Sequence, residues 1–164
     1  MRKFAVTLLI LFLTQAMFAQ AVYTLKTEVL IFSFETNSGK ILSLSKDVND
    51  KYLIYRFGTR ARVEFEYPDK SRDSWKNFKY SYYFRGGGKA NDGMDLNYLA
   101  FENKGYKYII YDTYSAMTGK TDTGLRIINL KTSEVSTITA KSKKGSLINF
   151  RNSRFIKIDQ QLYD

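Results

Sequence analysis

The chain has 164 residues, with 26 Lys and Arg against 16 Asp and Glu, a net charge of +10, and neither Cys nor His. Without His and Cys, Ser-His-Asp and Cys-His nucleophiles and the usual zinc sites are excluded. Any catalysis would fall to carboxylates, Lys, Tyr, Ser or Thr, and the sequence implies no cofactor.

Residues 1–21 read as a secretory signal peptide. Arg2 and Lys3 give a positive start, an apolar run follows, and Ala16, Ala19 and Ala21 close it. The apolar run is shorter than the ~20 residues that cross a bilayer. Cleavage is expected after Ala21 or after Ala19. The product is then periplasmic or secreted and not an integral membrane protein. The other reading of this stretch is an uncleaved anchor.

The remainder, 22–164, is the size of one domain and large enough to bury a core without disulfides. It holds 13 Tyr and a single Pro, Pro68. Aromatic residues favour strands and Pro is scarce inside them.

Short alternating runs follow one another along the chain. Strands are expected at 25–35 and 40–45, joined by Asn37-Ser38-Gly39. A second pair lies at 52–57 and 62–67, joined by Gly58-Thr59-Arg60. In the latter strand Val63, Phe65 and Tyr67 share one face, and Glu64 and Glu66 the other. After Pro68 comes a polar loop carrying the single Trp, Trp75. The next strand, 78–85, places Phe78, Tyr80, Tyr82 and Phe84 toward the core, with Lys79, Ser81, Tyr83 and Arg85 outward. Hairpins are expected at 94–101 with 106–114, turning at Asn103-Lys104-Gly105, and at 125–130 with 135–140, turning at Lys131–Glu134. Residues 146–150 read as a helical turn and 154–158 as a last strand. The expectation is an all-β, single-domain antiparallel sandwich or barrel of about eight to ten strands.

Three strings carry a resemblance. Tyr52-Leu53-Ile54-Tyr55-Arg56-Phe57-Gly58-Thr59, Ser81-Tyr82-Tyr83-Phe84-Arg85-Gly86-Gly87-Gly88 and Gly93-Met94-Asp95-Leu96-Asn97-Tyr98 resemble segments of a group of uncharacterised exported proteins of Gram-negative bacteria. The resemblance implies export and a β domain, and carries no catalytic residue with it.

Candidate sites are few. In Arg85-Gly86-Gly87-Gly88-Lys89 the glycines turn backbone N–H groups toward an anion, with two cations beside it. The alternative is a strand end that needs positive φ. Asn91, Asp92, Asp95 and Asn97 gather side-chain oxygens as a calcium loop does, but lack its closing Glu, and Asn-Asp-Gly is also a common turn. Glu64 and Glu66 sit about 7 Å apart on one strand face, within the range of glycosidase carboxylates. On one strand they are more simply solvated. Trp75 and Tyr83 are aromatic anchors if exposed, and core or loop packing if not.

The expected ligand surface is therefore Lys79, Tyr83, Arg85, Gly86, Gly87, Gly88 and Lys89, with Trp75. The expected function is a non-catalytic binding module of the bacterial envelope, of inhibitor or immunity type. Its partner is an envelope protein or an anionic envelope component. Export sets nucleic acid aside, and the net charge favours acidic ligands. The alternatives are a carboxylate-dependent enzyme on envelope glycans and a β-barrel carrier of a small apolar ligand.

Overall fold

A computed structural model describes residues 23–161; the expected signal peptide and both cleavage points lie outside them. The described chain is almost entirely β. Its strands are β1 Glu28–Thr36, β2 Ile41–Asp47, β3 Leu53–Thr59, β4 Arg62–Tyr67, β5 Lys79–Arg85, β6 Met94–Asn103, β7 Tyr106–Ser115, β8 Lys120–Asn129, β9 Val135–Gly145 and β10 Lys157–Ile158. Short 3₁₀ turns, at Arg72–Asn77, Gly88–Asn91 and Leu147–Phe150, are the other regular elements.

All ten strands join one sheet in the order β10-β5-β6-β7-β8-β9-β1-β2-β3-β4. Two meanders, β1–β4 and β5–β9, meet where β9 pairs antiparallel with β1. Every pairing is antiparallel except β10 on β5. Flat, this sheet would hold β4 and β6 about 34 Å apart, at ~4.8 Å per strand. Yet Tyr67 of β4 stacks on Phe101 of β6 with ring centroids 4.6 Å apart. The sheet therefore curls strongly on itself, into a half-barrel that resembles a sandwich.

Alternation explains what fills the curl. Phe32 and Phe34 of β1 pair with Leu44 and Leu42 of β2, and Tyr55, Phe78, Tyr80, Leu99, Ile110 and Leu125 join them in one core. Phe101 is sandwiched between Tyr67 and Tyr108, the latter at 4.7 Å and nearly parallel. Such pairs add ~0.5–1.5 kcal/mol each beyond the area they bury. Trp75 is buried here too, and its Nε1 donates to the Asp50 carbonyl at 3.0 Å.

Some boundaries differ from the sequence expectation. The turn after β3 comes later than Gly58-Thr59-Arg60, because Gly58 and Thr59 still pair with Val63 and Arg62 across a bulge. Strand β8 begins at Lys120 and β9 runs on to Gly145; their polar ends hid them from a hydrophobic pattern. The last strand is only Lys157–Ile158.

The string around Arg56 has a structural task. Arg56 is buried on the outer face of β3 and makes a two-bond ion pair with Glu28. Its Nε donates to Glu66 at 2.6 Å and its Nη1 to the Tyr23 carbonyl at 2.9 Å. Tyr52 donates to the same Glu28. The segment entering β1 is thereby strapped across the back of β3.

Candidate functional site

Strand β5 organises the open end of the curled sheet. Its pairing with β6, β7 and β8 sets up rows across the concave face. The row Tyr80-Leu99-Ile110-Leu125 is apolar core. The next row is Tyr82-Asn97-Asp112-Thr123, and the one beyond it Phe84-Asp95-Tyr114-Thr121. The same face thus changes from oily to polar within two residues.

The polar rows are bonded together. Tyr80 Oη donates to Asn97 Oδ1 at 2.5 Å, and Arg151 Nη2 donates to the same oxygen at 2.9 Å and pairs with Asp95. Asn97 Nδ2 donates to Asp95 at 2.7 Å and to the Asp112 carbonyl at 3.2 Å. Asp112 accepts from Thr123 at 3.0 Å and pairs with Lys143. Each carboxylate here has its own cation, as burial of charge requires. Burial pushes the Tyr80 hydroxyl up to about 12, so at neutral pH it is a donor. The Arg151 guanidinium lies 4.9 Å from the Tyr82 ring centre and 5.5 Å from that of Phe84, within reach of a cation–π contact.

Beyond this network the aromatics stand in water. Phe84 is 60% exposed, Tyr114 44%, Tyr82 41% and Tyr83 40%. The expected core face of β5 therefore stops at Tyr80: Tyr82 and Phe84 extend past the packed interior, where no second layer among the described residues covers them. Met117, also exposed, belongs to the β7–β8 turn. That turn is tied to the β5–β6 turn, where Ala116 N donates to the Gly93 carbonyl at 2.8 Å.

The expected ligand surface is split. Lys79, Ser81, Tyr83 and Arg85 share the outer face through their common parity, but Lys79 lies about 20 Å along the strand from Arg85. Ser81 is fully buried. Lys79 lines a surface cavity of about 280 Å³ with Tyr67, Lys76, Asn77, Phe101 and Lys107. Lys76 there is paired with Asp73, and Lys79 lies 3.9 Å from Asp159. Tyr83, Arg85, Gly86, Gly87, Gly88 and Lys89 stay together at the aromatic end.

Gly87 and Gly88 have φ of 91° and 60°, the left-handed region that glycine enters without strain. Gly93 N donates back to the Gly88 carbonyl at 2.8 Å, and Asn91 Nδ2 to the Gly86 carbonyl at 3.0 Å. The glycine string is thus a stapled turn. Arg85 is half-buried, its Nη2 3.9 Å from Met94 Sδ. Neither Arg85 nor Lys89 has a carboxylate partner among the described residues.

Trp75 is corrected as a surface anchor. Its 3₁₀ turn tucks the indole under β3, and burial plus the Asp50 hydrogen bond leave no ring face for a ligand. The calcium-loop oxygens disperse: Asp95 and Asn97 leave the turn and bind Arg151. Among the described residues no group of three His, Cys, Asp or Glu could hold a metal. Glu64 and Glu66 are each engaged, with Lys40 at 2.7 Å and Arg56 at 2.6 Å.

Sequence reasoning missed Arg151, Lys143 and Asp112. One signal was present: Asp112 interrupts the run Tyr108-Ile109-Ile110-Tyr111 in a strand too apolar to be an edge. Its partners Lys143 and Ser146 come from 31 and 34 positions later, which no local pattern connects.

Comparison with protein-family models, with curated proteins and with solved structures gave no match.

Proposed function

We propose that the protein is an exported, non-catalytic binding module of the bacterial envelope, and that its partner is an acidic protein. One observation carries this reading: consecutive exposed Tyr82, Tyr83 and Phe84, with Tyr114 and Met117 beside them, flanked by Arg85 and Lys89 that lack carboxylate partners among the described residues. Tyr, Phe, Met and Arg are the residues that enrich the centres of protein interfaces. The aromatic rings stand on strands β5 and β7, and the bonded rows beneath hold Arg151 against Tyr82 and Phe84. Binding then orders little, so less of the interaction energy is lost.

The excess of Lys and Arg over Asp and Glu, which persists after residues 1–21 are removed, supports an acidic partner, since like charges slow association. The positive, apolar and small-residue order of 1–21 supports export. An inhibitor or immunity-type role fits a preformed face with paired carboxylates behind it.

The test compares capture from envelope extract by the protein and by its Phe84→Ala and Arg85→Glu variants. An acidic protein retained by the parent and lost by both variants supports the reading. Equal retention by all three overturns it. Retention of glycan alone, with no protein, assigns the face to saccharide and also overturns it.

A further inference from the structure

The two edges of the sheet are built differently. At the β4 edge the strand carries Arg62, Glu64 and Glu66 and is followed by Pro68. Charge and Pro are the common means of keeping a sheet edge from pairing with another chain. At the other edge β5 is paired with β6 along its whole length, from Lys79↔Ala100 to Arg85↔Met94. Among the described residues, its second side is paired at Lys79 and Tyr80, by β10. From 81 to 85, no strand among the described residues lies alongside. This stretch reads Ser-Tyr-Tyr-Phe-Arg, with no Pro, no Lys and no bulge against β6.

The direction of its peptide groups follows from β10. Asp159 N donates to the Tyr80 carbonyl at 2.7 Å. By two-residue alternation, the peptide groups of Tyr82 and Phe84 point the same way, away from β6. Tyr82 and Phe84 stand on one side of this edge and Tyr83 and Arg85 on the other, all partly open to solvent.

We infer that the 81–85 edge of β5 receives an extended acidic segment of the partner as an added strand, next to the two positions that β10 occupies. This inference rests on the proposed binding role and specifies how the partner docks. Main-chain hydrogen bonds supply affinity in strand addition, and flanking side chains supply specificity. Here the flanks are aromatic on the concave side and aromatic plus cationic on the other, with Lys89 in the turn beyond. That charge selects carboxylates. The excess of Lys and Arg over Asp and Glu also opposes a second copy of this chain, since like charges slow association.

The experiment titrates the purified protein with the heptapeptide Glu-Val-Glu-Val-Glu-Val-Glu, the same peptide methylated on every backbone nitrogen, and its Lys-for-Glu counterpart. Amide hydrogen exchange is read residue by residue. The expected result is at least tenfold slower exchange at Tyr82 and Phe84 with the acidic peptide, and no change at Tyr83, whose peptide group already faces β6. The methylated and Lys peptides bind at least tenfold more weakly. Unchanged exchange at Tyr82 and Phe84, or equal binding of the methylated peptide, overturns strand addition. A concentration-dependent dimer by sedimentation, with the same two amides protected and no peptide effect, assigns the edge to a second copy and also overturns it. If Phe84→Ala still abolishes capture of an acidic protein while edge exchange is unchanged, the docking face stands and only the strand-addition mode falls.

Discussion

The guanidinium of Arg56 and the carboxylate of Glu28 meet as a buried fork, Nη1 on Oε2 at 2.6 Å and Nη2 on Oε1 at 2.8 Å. Both side chains are shielded from water. Burial alone would raise the Glu28 pKa, but Arg56, the Leu25 amide and the Tyr52 hydroxyl outweigh it and hold the carboxyl below its ordinary range. A carboxylate held low in the folded state adds stability above its unfolded pKa of about 4.3, and that stability is lost as pH falls through the folded value. Thermal melts should therefore drop as pH goes below about 4. Glu28→Gln should flatten that acid limb and cost ~3–5 kcal/mol at pH 7, because it leaves Arg56 without its full partner. An unchanged acid limb in the variant would remove Glu28 as its source.

The alkaline side has the opposite sign. Burial pushes the Tyr80 hydroxyl up to about 12 and raises Tyr55 further. A phenol that ionises later in the folded state contributes stability that is complete below pH 10. It is lost as pH rises through the folded value. Absorbance at 295 nm should lag behind that of the denatured chain above pH 10. Tyr80→Phe, which removes the bond to Asn97, should cost ~0.5–1.5 kcal/mol by denaturant melt.

The glycines of the two most distinctive strings should respond differently. A Cβ on Gly58 would meet the Arg62 carbonyl oxygen at 2.3 Å and the Glu64 nitrogen at 2.6 Å, both backbone atoms that cannot move aside. Gly58→Ala should cost ~1–3 kcal/mol or more. A Cβ on Gly86 would meet only the Phe84 ring, at 3.8 Å, so Gly86→Ala should leave the melting temperature within about 2 °C. Equal destabilisation by the two would contradict the bulge at Gly58.

Truncating the aromatic end should separate stability from binding. Phe84 and Tyr114 are too exposed to carry core energy. Phe84→Ala and Tyr114→Ala should each stay within about 0.5 kcal/mol of the parent in urea. A loss of more than ~2 kcal/mol in either would mean that the ring packs inward and is not presented to a partner.

Much of the strand sequence was readable because a curled sheet buries one side of each strand. Val63, Phe65 and Tyr67 against Glu64 and Glu66 gave both a strand and its wet face. Positive-φ turns at Lys104-Gly105 and Ser133 lie where turn residues interrupt the alternation. The same rule failed at Tyr82 and Phe84, whose period points inward although the interior ends at Tyr80. Hydrophobic period reports which side a residue is on, and says nothing of how far along that side the packing continues. Trp75 shows the converse: a polar loop by composition, it carries a buried ring because Ser74 and Asp50 satisfy the backbone and indole around it.

By itself the sequence determined the class of the fold, most of its strands and the absence of His and Cys chemistry, since these depend on composition and on a period of two. Tertiary structure decided the rest. Lys79 parted from Arg85 because a strand is straight over 20 Å. Arg56 found Glu28, and Arg151 found Asp95 and Asn97, across 28, 56 and 54 positions of chain. Only the tertiary arrangement of strands and turns brings such distant positions within hydrogen-bonding reach. The exposed aromatic edge of β5 likewise exists because β10 ends after two residues, a length that no local pattern of the strand encodes.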